Sequence, residues 1–509
     1  MRAIPARSPS LTHYCKCKLL SIVFGVQCVR AVAGDREKST FPVPPTTKWV
    51  GVVNTELQSE SSRLLASSNA GSPGWWLTVA RRGTPWVEPA GNGRWRTTFF
   101  WRDPQGCELT SAYRRVWINI NCLTDHHQPN PPQSLQRLAG TDVWYWQTEL
   151  SGAWRGSYCF IPCFDERPPA FSGDDAHANM HNLRHWWHQV FASATPDLLN
   201  PYRSWQSASG HSVSGLHMPD APPQPVWRSF DEYEIASGRC TPPLPARLQR
   251  HTWCSERLGN SRDVWIYTTG DSKPAERPLA ILLDGQFWAK QMPVWEPLMQ
   301  LTREGALPEA VYVLIDIIDL PHRARELTCK DDFWLAVQEE LMPQLADWAP
   351  HSDKPADTVV AGQSFGGLAS LYAGLRWPQR FGAVITQSGS YWWPRRDMLQ
   401  LPSIPDDACW LMQQVERHGL GNHGALKVFM EAGSQEKLVH RVSGEMAVRL
   451  SDAGHRVHYR VVEGGHDALC WRSGLTDGLQ AVWASAFATA YPASATARGT
   501  HDGKPESVR

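Results

Sequence analysis

The sequence predicts a mostly parallel β-sheet covered by helices on both faces, preceded by a smaller β-sandwich. Three observations carry this. In the second half, continuous apolar runs alternate with amphipathic stretches, the pattern of strands buried on both faces. Between residues 74 and 162 the runs are shorter, rich in Val, Trp, Tyr, Phe and Thr, and separated by turn signals. Within the second half, Gly362-Gln363-Ser364-Phe365-Gly366-Gly367 lies between an apolar strand-like run and a helical stretch.

The elements follow in chain order. At 509 residues the chain exceeds one ordinary core, so two domains with a connecting segment are expected. Residues 1–70 show neither helical nor strand period and read as a disordered or processed leader. Within it, Lys16 and Lys18 precede an apolar run over 19–29, and Ala31-Val32-Ala33 is a weak likeness of a signal-peptide cleavage site, interrupted by Arg30. Residues 74–163 read as the sandwich, with runs at 97–101, 115–120, 142–146 and 156–161, and no catalytic cluster is expected there. Residues 164–248 are rich in Pro, Ser, His and Asp and read as a linker wrapping the junction, with one short helix near 181–191. Residues 249–492 form the catalytic domain, with strands at 264–267, 279–283, 310–318, 358–361, 383–385 and 426–430. Residues 493–509 read as a disordered tail.

Composition narrows the function. Fifty Lys+Arg balance fifty Asp+Glu, which provides no electrostatic footprint for nucleic acid and no polybasic patch for a membrane surface. A small-molecule substrate fits this better. No stretch after the leader is apolar enough to span a bilayer. The 12 Cys include no Cys-x-x-Cys pair, so no zinc knuckle is predicted and the thiols read as reduced ones in a cytosolic protein. The 26 Trp, several in adjacent pairs, serve core packing in most cases and would form flat walls for an aromatic ligand if gathered at a catalytic mouth.

The chemistry rests on Ser364. A serine on a strained strand-to-helix turn leaves no room for side chains two residues away on either side, which explains Gly362 and Gly366. Its hydroxyl needs a base, and that base needs an orienting acid. This strand, turn and helix setting is that of an α/β-hydrolase-type domain, in which the order is serine, acid, histidine. His466 in Glu463-Gly464-Gly465-His466-Asp467 fits the base: it follows a strand over 456–462 and precedes a helix starting near residue 475. The acid belongs in the loop after the strand 426–430, with Glu436 ranked first, Glu431 second and Asp467 third. The developing oxyanion needs two donors. Phe365 supplies one amide by position, and the turn at Asp284-Gly285-Gln286 supplies the other, with Gly285 permitting the turn.

These residues sit in longer segments that resemble the enterochelin (enterobactin) esterases. The segments are Phe100-Trp101-Arg102-Asp103-Pro104-Gln105-Gly106, Thr124-Asp125-His126-His127, Arg155-Gly156-Ser157-Tyr158-Cys159-Phe160-Ile161-Pro162, Leu282-Leu283-Asp284-Gly285, Gly362 to Gly367, Gln387-Ser388-Gly389-Ser390-Tyr391-Trp392-Trp393-Pro394, and Gly464-Gly465-His466-Asp467-Ala468-Leu469-Cys470-Trp471-Arg472. They are spread over most of residues 74–490. The resemblance implies a β-sandwich before an α/β-hydrolase domain, a Ser-acid-His site that includes Glu436, a cytoplasmic address, and hydrolysis of a ferric catecholate trilactone. It implies no cofactor beyond the substrate's own iron. Such a ligand is aromatic and anionic, so Arg323, Arg325, Tyr391, Trp392, Trp393 and Trp471 are expected to bind substrate, with Arg395, Arg396 and Arg472 alongside. Two other readings remain open at this point: another aromatic ester, as in a feruloyl-type or general carboxylesterase, and a carbohydrate-binding role for the sandwich with the hydrolase domain secondary.

Overall fold

The computed structural model describes residues 59–125, 127–128, 131–165, 176–207, 210–237, 244–271, 274–395, 409–422, 424, 426–485 and 487. Two short helices come first, α1 (Glu60–Leu65) and α2 (Pro73–Arg82). Each begins at a serine whose hydroxyl accepts an amide of the first turn, Ser59 from Ser62 and Ser72 from Trp75, and Pro73 opens α2 where its missing N–H costs nothing. The sequence reading assigned residues 60–65 to the leader, because six residues are too short to show a period. Trp75 and Trp76 lie in α2 and close a small core with Trp86, Phe100 and Val143.

The β-rich half contains two antiparallel sheets. One has the order β1-β2-β6-β5, from β1 (Trp86–Gly91), β2 (Arg94–Arg102), β5 (Gln136–Arg137) and β6 (Val143–Ser151). The other has the order β4-β3-β7-β9-β8, from β3 (Arg115–Ile120), β4 (Gln133–Ser134), β7 (Arg155–Cys163), β8 (Trp205–Gln206) and β9 (Ser212–His217). Between them lies a core of Phe99, Val116, Ile118, Ile120, Trp154, Tyr158 and Phe160, among others. The residues read as linker contribute here: β9 pairs with β7, and α3 (Ala176–Val190), between those two strands in the chain, has Trp187 wholly buried. A strand of six residues among prolines and serines offers too little alternation to be seen beforehand.

α4 (Arg228–Ser237) leads to an eight-stranded sheet of order β10-β11-β13-β12-β14-β15-β16-β17. Its strands are β10 (Leu248–Ser255), β11 (Asn260–Thr268), β12 (Leu279–Leu283), β13 (Val311–Ile315), β14 (Thr358–Gln363), β15 (Ala383–Gln387), β16 (Lys427–Gly433) and β17 (Arg456–Val462). β10 pairs antiparallel with β11 and β11 with β13, and β12 through β17 run parallel to one another. The helices are α5 (Trp295–Arg303), α6 (Leu320–Glu326), α7 (Asp331–Ala336), α8 (Met342–Trp348), α9 (Phe365–Arg376), α10 (Trp410–His418), α11 (Lys437–Asp452) and α12 (Ala468–Trp483). Apolar clusters cover both faces of this sheet, as its continuous apolar strands require. The second cluster also takes in Trp117, Cys159 and Ile161 from β3 and β7. Those two strands are therefore buried on both sides, one face in the sandwich and the other against the eight-stranded sheet and its helices. Among the described residues no helix is long and apolar enough to cross a membrane.

Candidate active site

The nucleophile candidate sits where β14 turns into α9. Ser364 has φ 58° and ψ −119°, a left-handed backbone that a non-glycine residue adopts only when its surroundings enforce it. The glycines make the turn possible. A Cβ on Gly362 would stand 2.4 Å from the carbonyl carbon of Gly366, and one on Gly367 would stand 2.9 Å from Thr386 Oγ1. Behind the turn, Trp288 Nε1 donates to Gln363 Oε1 at 3.1 Å and Gln363 Nε2 donates to Gln387 Oε1 at 2.9 Å, so the elbow rests on a buried row of amides. The Ser364 hydroxyl meets Ser390 Oγ at 3.2 Å.

Two neighbouring loops share the same backbone departure. Asp284, after β12, has φ 56°, and Ser388, after β15, has φ 49°. A Cβ on Gly285 would meet the β13 backbone at 2.6 Å, which draws the Asp284-Gly285-Gln286 turn tightly across the sheet edge. Arg323 fastens that turn. Its Nε and Nη2 donate to the two Asp284 oxygens at 2.5 and 2.8 Å, and Nη2 also reaches the Gln363 carbonyl at 3.1 Å. The guanidinium expected to face substrate is thus engaged by the protein, bracing the Gln286 turn against the strand that carries Ser364.

His466 follows β17, and its Nδ1–H donates to Glu436 Oε1 at 2.5 Å. The other Glu436 oxygen accepts the Gly433 amide at 2.6 Å and the Ser388 hydroxyl at 2.7 Å. Burial pushes the Glu436 carboxyl up, but the His466 imidazole and these donors outweigh it and hold the group below its ordinary value. The other two acids are occupied elsewhere. Glu431 pairs with Arg460 at 2.7 Å, and Asp467 caps α12, accepting the amides of Leu469 and Ser157, both at 2.8 Å. That cap starts α12 at Ala468, seven residues before the helix expected from residue 475.

The remaining predicted residues separate. Trp471 lies edge-on to His466, centroids 4.7 Å apart, with Nε1 donating to Ser388 Oγ at 2.9 Å. Trp392 stands 5.7 Å from the Phe365 ring at the elbow, and Trp393 packs edge-on against Trp410 at 5.9 Å. Arg325 is exposed on α6. Tyr391 corrects the expectation: it is 1 % exposed in the apolar core, its hydroxyl bonded to Thr386, because its ring fills the space beside Gly389. Arg472 is wholly buried and grips Asp231 with two bonds of 2.7 Å, tying α12 to α4. Arg396 lies outside the described residues.

Sequence reasoning missed the contribution of the β-rich half. After β3, the Asn121 side-chain amide donates to the His466 carbonyl at 2.9 Å, and the His466 N–H meets Cys122 Sγ at 3.2 Å. His127, five residues after Cys122, brings its ring to 5.5 Å from that of His466. The Thr124 to His127 segment was the available signal, noted as a family segment without a task.

Comparison with known proteins is consistent with this geometry. Residues 96–227 match the family model described as enterochelin esterase, N-terminal, and residues 255–482 match a putative esterase model. The iron(III) enterobactin esterase of Dickeya dadantii strain 3937 is 50% identical over 428 residues, covering 82% of this chain and 94% of its own. That of Escherichia coli O6:H1 strain CFT073 is 47% identical over 423 residues, covering 83% and 99%. This chain belongs to the enterochelin esterase family. Among solved enterochelin esterases, the crystal structure of the ferric enterobactin esterase from Salmonella typhimurium shares 48% identity and a TM-score of 0.72, covering 81% of this chain and 98% of that one. A Shigella flexneri enterobactin esterase solved in the presence of enterobactin gives 46% and 0.68, with the same coverage. The chain is accordingly an esterase, a hydrolase of the α/β type with a β-rich N-terminal region.

Proposed function

We propose that this protein is a serine esterase that hydrolyses the ester bonds of ferric enterobactin, or of a close catecholate trilactone, and so releases iron from the chelator. The observation that carries the reading is the 47% and 50% identity to two iron(III) enterobactin esterases over nearly their whole lengths, 99% and 94%. Ser364 attacks the lactone carbonyl while His466 takes its proton, and Glu436 holds the imidazole and stabilises the imidazolium. The amides of Phe365 and Gln286, the latter positioned by Gly285 and the Arg323 brace, receive the oxyanion. His466 then protonates the leaving serine oxygen, and water repeats the cycle on the acyl-enzyme. Arg325, Trp392, Trp393 and Trp471 flank the bound substrate. No resident cofactor enters this scheme; the iron is cargo.

Ring opening weakens iron binding because the trilactone preorganises three catecholates, and a linear product has to pay conformational entropy to gather them. The β-rich half and the catalytic half act as one enzyme rather than as a glycan-binding module with a hydrolase attached. A cytoplasmic address accords with the eight described cysteines, all free thiols. The test is incubation of the purified protein with ferric and iron-free enterobactin, followed by chromatography for linear trimer, dimer and monomer. Intact trilactone after prolonged incubation with both forms, alongside cleavage of a simple aryl ester, would reassign the substrate.

A further inference from the structure

The turn that follows β3 does more than touch the histidine loop. Cys122 has φ 57°, and Thr124 Oγ1 accepts the Ile120 amide at 2.8 Å while donating to the Ile118 carbonyl at 2.7 Å, which folds the chain back sharply. Gln128 Nε2 donates to the Cys122 carbonyl at 2.5 Å and closes the turn from the other end. Asp125, 3 % exposed, grips His127 twice: Oδ1 accepts its backbone amide at 2.9 Å and Oδ2 accepts from Nδ1 at 2.8 Å. This bond fixes the tautomer and directs the ring's Nε2 edge away from Asp125. The ring lies 5.5 Å from that of His466, inclined by 37°, and its side chain is 28 % exposed. The ring is thus held by Asp125 and partly exposed beside His466.

We propose that His127 is a substrate-binding residue, a cationic half-site that the β-rich half presents to the catalytic mouth for the anionic catecholate part of the ferric ligand. The proposal rests on the substrate reading above. Three dianionic rings on trivalent iron leave three net negative charges, which a neutral serine site does not by itself counter. The charged groups acting on His127 are Asp125 on its own turn, Arg184 on α3, and Glu436 beside His466. Burial lowers the imidazole's proton affinity, as does Arg184, but the Asp125 carboxylate and its hydrogen bond, with Glu436, outweigh them and hold the ring above its ordinary value.

The experiment compares ferric enterobactin with the iron-free trilactone, whose catechols keep their protons at neutral pH. In His127→Ala, kcat/KM should fall by about tenfold on the ferric complex, the scale of one charge-assisted hydrogen bond, and by much less on the iron-free ester. Asp125→Asn, which unties the ring, should shift the ferric to iron-free preference in the same direction, and His127→Gln should lie between alanine and wild type. Binding of ferric enterobactin to Ser364→Ala, followed by tryptophan fluorescence, should weaken by a similar factor when His127→Ala is added. Equal losses on both substrates, or no loss on either, would overturn the half-site while leaving the esterase reading intact. A wild-type protein inactive on both trilactones would instead overturn the substrate reading, and the half-site with it.

Discussion

Glu436 and His466 meet at 2.5 Å between Oε1 and Nδ1, and the other carboxylate oxygen accepts from Ser388 and the Gly433 amide. A carboxylate held by three donors on its two oxygens does not swing to another partner, so the imidazole is held in one tautomer. Glu436→Gln keeps the shape but offers an amide donor toward Nδ1, favouring the wrong tautomer. The expected result is a fall in kcat on ferric enterobactin of roughly two to four orders of magnitude. Glu431→Gln, which breaks the Arg460 ion pair but leaves an amide oxygen to accept from Gln387 Nε2, should leave kcat within a few-fold and lower the melting temperature.

Ser364→Ala should lower kcat by at least about three orders of magnitude while ferric enterobactin still binds, because the change removes one oxygen from an elbow shaped by its glycines. Iron transfer to a ferrous trap in the presence of reductant should be lost in step with lactone hydrolysis. Iron transfer persisting in the alanine variant would separate the two.

Arg323 offers a test of the brace. Arg323→Ala leaves the half-buried Asp284 without its partner and frees the Gln286 turn, so kcat should drop by about ten- to a hundred-fold with a smaller change in KM. Lysine keeps the charge but cannot make two parallel bonds to one carboxylate, and Arg323→Lys should recover only part of the rate. An effect confined to KM would return Arg323 to substrate binding.

The acid side of the stability profile should also report on Glu436. Its carboxyl is held below its ordinary value of 4.5, so its stabilising contribution is fully present above that pH and is lost as pH falls through the lower folded value. The melting-temperature gap between wild type and Glu436→Gln should therefore be widest near pH 7 and narrow steadily below about pH 4.5. A constant gap across that range would show that the carboxylate's charge contributes nothing to the fold.

Much of this was legible in the residues. The parallel strands announced themselves as unbroken apolar runs, and Ser364, His466 and Glu436 fall in loops whose order the strands dictate. What was hidden depends on distance in the chain. Nothing in Arg323 distinguishes a substrate-facing guanidinium from one clamped on Asp284, since the partner lies 39 residues away. Tyr391 beside two tryptophans looks like a ligand platform until Gly389 is seen to leave room for its ring in the core. The strand Ser212–His217 disappears among prolines and serines, and the approach of His127 to His466 spans 339 positions that no local pattern connects.

The two-sided burial of β3 and β7 has a consequence for how this enzyme could be divided or rebuilt. Removing the β-rich half would strip Trp117, Cys159 and Ile161 from the apolar layer that also holds α12, and would take away the Asn121 and Cys122 contacts that frame the histidine loop. The eight-stranded portion would then expose a wet scar where it now has a dry wall, with His466 on an unsupported loop. Grafting this hydrolase onto a different N-terminal partner therefore means transplanting a seam, not a sequence boundary: the segment after β3, the outward residues of β7 and the start of α12 travel together or not at all.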